Sequence, residues 1–144
     1  MRNRMAAAML AGALAGPVLA DGVAVTAFDG SFDDATFAVE SAIIGQGLVI
    51  DHVSHVGDML SRTGQDVGSS KEIFKSADIF MFCSARVSRQ VMEADPMNIA
   101  FCPYGIFVAE DGDGVKIGYR EYPDGPMDAV EALLADIVAE ATGG

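Results

Sequence analysis

The chain carries two thiols, and their surroundings are the most chemically distinctive part of it. Cys83 and Cys102 stand in the stretch FCSARVSRQVMEADPMNIAFCPYG, each directly after a phenylalanine, with eighteen residues between them. A thiol becomes a nucleophile or a metal ligand only once deprotonated, and its softness suits copper, zinc or haem iron. In an oxidising medium the pair has another use, a disulfide, whose closed loop of about 20 residues would contribute on the order of 3 kcal/mol. Buried, inert thiols are the remaining possibility. Spacing alone does not choose among the three.

Other candidate ligands lie close by in sequence. Met81 precedes Cys83 by two residues, so on a strand the two share a face. Tyr104, two residues after Cys102, adds a polar handle to an apolar stretch. The only histidines, His52 and His55, sit in DHVSH. On a strand they point to opposite faces, and alternation with Val49 and Val53 places His55 on the apolar side. Cys83, Cys102 and His55 are therefore the candidate metal ligands. Met81 and Tyr104 complete a candidate ligand-binding neighbourhood, for which copper, zinc or haem are the fitting cofactors.

No catalytic residue can be assigned. The chain has no CxxC pair, phosphate-binding glycine loop or HExxH. Nothing in the spacing of its carboxylates singles out a general acid and a general base. EDGDG at residues 110–114 lacks the closing glutamate of a calcium loop and reads as a turn. Arg86 and Arg89 share a helix face and read as partners of Glu93 or Asp95.

The compartment follows from the first residues. MRNRMAAAMLAGALAGPVLADG has Arg2 and Arg4, an Ala/Leu/Met core and the small-residue site VLA, the pattern of a secretory signal peptide cut after Ala20. That core, interrupted by Pro17, falls short of the roughly 20 apolar residues that span a bilayer. The expected product is a periplasmic or secreted single domain, residues 21–144, without a membrane span. Residues 1–20 hold two of the nine basic residues and none of the 21 acidic ones, so cleavage takes the formal charge from −12 to −14. Such a chain is a poor partner for nucleic acid, while a basic protein partner suits it.

Positioning these residues requires strands and helices in an order that periodicity reveals. Val23 to Phe28 reads as a strand, and Ser31 as the N-cap of a helix with Asp34 three residues on. LVIDHVSHV reads as a second strand, and Met59, Leu60 and Thr63 as a short helix. In ADIFMFCSA, Ile79, Met81 and Cys83 share one face, and Phe80 and Phe82 the other. A helix over residues 86–94 ends at Pro96. NIAFCPYGIFVAE reads as one long strand with Cys102, Tyr104, Ile106 and Val108 on one face, and VKIGYREY as its return. Pro126 opens a final helix with Val130, Leu133, Leu134, Ile137 and Val138 as its apolar stripe. Neighbouring strands pair while helices flank them, so the fold class is α+β.

FDDATFAVESAIIGQGLVI followed by Cys83, EADP and Cys102 in that order resembles the bacterial family catalogued as domain of unknown function 302, over nearly all of residues 22–140. The resemblance implies a curved, mainly antiparallel sheet packed on helices, similar to the TATA-binding-protein arrangement, and often a dimer. It implies no reaction. Two functional expectations stand: an exported accessory protein binding a small ligand, soft metal or haem, or exchanging thiols, near the two cysteines; or a non-enzymatic interaction module, stapled by a disulfide and acting through dimerisation or partner docking.

Overall fold

The structure, a computed structural model, describes residues 18–20 and 22–144. The leader expected at residues 1–20 therefore lies outside the described residues, except for its last three, which form strand β1 (Val18–Ala20). β1 pairs antiparallel with β2 (Val23–Phe28) at the edge of the sheet. A cut after Ala20 would remove it and leave β2 still held along its whole length by β6 (Gly114–Arg120).

Among the described residues, six antiparallel strands make one sheet in the order β1-β2-β6-β5-β4-β3. β3 is Val49–Ser54, β4 Ser76–Cys83 and β5 Tyr104–Asp111. The β5–β6 hairpin turns where its residues can be satisfied locally. Asp113 N donates to Asp111 Oδ1 at 2.8 Å, Lys116 Nζ donates to Asp111 Oδ2 at 2.7 Å, and Gly114 takes φ 116°.

The helices start where caps are available. α1 (Phe32–Gly45) has the full capping box: Ser31 Oγ accepts from Asp34 N at 3.1 Å, and the Asp34 carboxylate accepts from Ser31 N at 3.2 Å. Those bonds hold the Asp34 carboxyl below the usual carboxylate range. α3 (Ala85–Ala94) is capped by Ser84, whose hydroxyl accepts from Val87 N. α4 spans Asp128–Thr142 and ends at Gly143, in the left-handed conformation.

α1, α3 and α4 cover one face of the sheet. Phe80, Phe82, Tyr104, Ile106, Val108 and Ile117 point into a single core with Val39 and Ile43 of α1, Val87 and Val91 of α3, and Val130, Leu134 and Ile137 of α4. Each fully buried side chain of this size contributes roughly 1.5–3 kcal/mol. Leu133, expected in the apolar stripe, is only partly buried, because Leu134 takes the position facing the sheet. α2 (Val56–Thr63) instead starts beside the N-terminal end of β4. Gly57 makes that approach possible: a Cβ there would lie 2.6 Å from Ala77 N.

One expected element is shorter than its pattern suggested. Pro96 to Phe101 forms a 3-10 helix capped by Asp95, and β5 begins only at Tyr104. Cys102 and the exposed Pro103 thus lie in the connection ahead of the strand, not on the strand face that carries Tyr104.

Candidate functional site

The second sheet face carries no helix of the core, and strand register decides what it displays. Pairing of Ile79 with Phe107, and of Phe107 with Gly118, puts these three in line across β4, β5 and β6. Met81 opposite Gly105 and Cys83 opposite Val49 extend the same face toward β3. Val25, opposite Gly118, extends it to β2. None of Val25, Ile79, Met81, Phe107 and Val49 packs against the core, and Val49 is 73% exposed.

Two glycines flatten this surface. A Cβ on Gly118 would meet the Phe107 ring at 2.5 Å, so the aromatic ring lies across β6 only because residue 118 has no side chain. Ile79 leans over Gly105 in the same way, with its Cγ2 at 3.2 Å from where a Cβ would stand.

At one end of the face Cys83 and Cys102 form a disulfide, with Cα atoms 6.7 Å apart. The bond ties the last residue of β4 to the segment that follows the 3-10 helix. Both cysteines are partly exposed, while Met97 and Ile99 on that 3-10 helix are 69% and 59% exposed. Nearby, the Arg120 guanidinium lies over the rings of Phe101, at 5.6 Å, and Tyr122, at 5.4 Å. Tyr122 is buried edge-on against Tyr104 and Phe101, and burial pushes its phenol up to about 12.

The sequence-predicted site residues do not all converge. Met81 shares the face of Cys83, as alternation along β4 requires. Tyr104 points into the helix-covered core, where it is fully buried and its hydroxyl lies 3.0 Å from Ser88 Oγ. His55 is at the far end of β3, its Nδ1 2.7 Å from Asp78 Oδ1, and that carboxylate raises the imidazole above its ordinary value. A β-bulge is the reason. The register shifts between Ile50 and His52, so strict alternation fails at Asp51 and His52, not His55, comes opposite Met81. Among the described residues no three or more His, Cys, Asp or Glu side chains cluster as a metal ion would need.

A cavity of about 410 Å³ lies elsewhere, between α2 and the loop that returns to β4. Asp58, Ser69, Lys71 and Glu72 are among its lining residues. Basic and acidic groups balance there, and no sequence-predicted site residue lines it.

Fold and site together define a two-layer α+β domain with one sheet face covered by α1, α3 and α4 and a second, disulfide-bordered face that those helices leave uncovered, on which Ala77 and Ala109 are buried and Val25, Ile79, Met81 and Phe107 partly buried. The family model for the domain of unknown function DUF302 matches residues 23–141, and the chain belongs to that family. Its fold is similar to the crystal structure of an uncharacterized conserved DUF302 protein from Bacillus stearothermophilus, with a TM-score of 0.67 at 14% identity, covering 86% of this chain and 98% of that one. No curated protein matches the chain. Among the described residues no helix is long and apolar enough to cross a membrane.

Proposed function

We propose that this protein is an exported, non-enzymatic interaction module whose working surface is the open face of the sheet, with the disulfide stapling that face at one end. The observation that carries this reading is the apolar display of Val25, Ile79, Met81 and Phe107 on a face that no core helix covers. The cysteines, joined to each other, then serve the framework rather than a ligand. A closed loop of 19 residues places this staple where it restrains the unfolded chain by about 3 kcal/mol. The export signal read at residues 1–20 supplies the oxidising compartment that such a bond requires.

A second reading keeps the cysteines as the site. Partial exposure of both sulfur-bearing residues, with the thioether of Met81 on the same face as Cys83, suits soft-metal binding or thiol exchange after reduction. Free-thiol titration of the exported protein, combined with metal analysis and a visible spectrum, separates the two. The interaction module predicts no free thiol and no stoichiometric copper, zinc or haem. Two titratable thiols with bound metal would transfer the function to the cysteines.

A further inference from the structure

From the backbone of β2 we infer that its outer edge is a strand-acceptor site, filled in the exported protein by an extended, uncharged segment of another protein, led by basic residues. The site lies on the rim of the sheet, apart from the open face, and depends on the export reading.

The two rims of the sheet are built differently. Edge strands are guarded against pairing by bulges, charges, proline or short length. β3, at one rim, has its bulge between Ile50 and His52, with the exposed Asp51 inside it. β2 reads VAVTAF, six residues without charge or proline, and pairs with β6 without a register shift. Its guard is β1, which belongs to the segment that a cut after Ala20 removes. No residue ahead of Asp21 then remains to cover the rim.

Backbone direction says what the rim offers. In an antiparallel strand, successive residues turn their N–H and C=O to opposite sides. The Gly22 carbonyl faces β6, where it accepts from Glu121 N at 2.8 Å, and the Ala24 carbonyl lies against Gly118 of β6. Val23, Val25 and Ala27 therefore turn outward, each with one donor and one acceptor that need a partner. Val18 opposite Val25 and Ala20 opposite Val23 form an antiparallel pairing of an extended segment with this rim. Once that segment is gone, water takes its place, and the backbone of a partner strand can displace the water. β1 covers only Val23 to Val25, whereas a partner strand can run all six residues of β2.

Charge sets the composition of the partner. Beside Val25, Thr26 and Ala27 a charged side chain meets no opposite charge on β2, so the segment itself is uncharged. An added antiparallel strand starts beside Phe28 and ends beside Val23. Its leading end therefore comes next to the exposed Asp29, on a chain of net charge −12. Basic residues ahead of the segment suit that end.

Amide hydrogen exchange of the exported mature protein, read by NMR with and without the peptide KKVTVTVT, tests this. Without peptide, the Val23, Val25 and Ala27 amides should exchange fast and those of Ala24 and Thr26 slowly. The peptide should slow the outward set roughly tenfold or more. The same peptide with its last six amides N-methylated cannot donate to the rim and should protect nothing. Val25→Pro removes one outward donor at a position where an edge strand tolerates proline. It should keep the circular dichroism and lose the protection at Val23, and the N-methylated peptide is read in its place if the variant misfolds. A peptide led by two glutamates should bind roughly threefold or more weakly at low salt, and equal affinity would overturn the basic lead. Outward amides already protected in the mature protein, or left unprotected by about 1 mM peptide, would overturn the acceptor edge. An intact mass that retains residues 1–20 sinks the export reading and this site with it, whereas cleaved protein that ignores the peptide sinks the site alone.

Discussion

Asp78 holds its carboxylate 2.7 Å from His55 Nδ1 at the end of the sheet opposite the disulfide, and the hydrogen bond is the main reason the imidazole is raised above 6.5. A raised folded value means that the pair stabilises the protein fully below about 6.5 and that the contribution fades as pH climbs through the raised value. The His55 side chain is 61% exposed, so solvent screens the pair. An NMR titration should place the His55 midpoint above 6.5, and Asp78→Asn should bring it back toward 6.5. A midpoint unmoved by that substitution would contradict the assignment. The cysteines make the second prediction at this scale: replacing both Cys83 and Cys102 with serine should cost about 2–5 kcal/mol in denaturant unfolding. A cost below about 0.5 kcal/mol would deny the bond its framework role. Single residues were the least legible part of the sequence, for local reasons. Alternation along β4 placed Met81 beside Cys83 correctly, but one bulged residue in β3 exchanged the places of His52 and His55. Tyr104 was misplaced relative to Cys102 because the 3-10 helix ending at Phe101 delays the strand, so the two are not on one strand face.

Elements were easier to read where a cap and a stripe agree. Ser31 with Asp34 marks the start of α1, and the Val130, Leu134, Ile137 and Val138 stripe marks α4. The Pro96–Phe101 3-10 helix hid because its residues alternate no differently from a strand, and only the Asp95 cap ahead of Pro96 signals it. Within α4 the burial pattern makes a sharp comparison possible. Leu134 is fully buried and Leu133 is not, so Leu134→Ala should cost about 2–5 kcal/mol and Leu133→Ala distinctly less. Equal costs in chemical denaturation would mean that α4 sits on the sheet in a different rotation.

The whole molecule divides its surface unevenly. Carboxylates crowd the helices, with Asp33 and Asp34 opening α1 and Asp128 and Glu131 opening α4, while the open sheet face stays nearly neutral. The α+β class was legible because strand and helix periods change cleanly along the chain. The open face was legible only as an omission, the missing polar alternation in β4 and β5, which reads as an ordinary buried strand until α1, α3 and α4 are seen on one side. If that face is the working surface, it must be in contact with another protein where the molecule resides. The direct measurement is site-specific photocrosslinking of the exported protein in place, with the probe at Val25 on the open face or at Phe37 on the helix-covered side. The account predicts strong adducts from Val25 and few from Phe37. Equal yields from the two positions, or adducts from Phe37 alone, would contradict it.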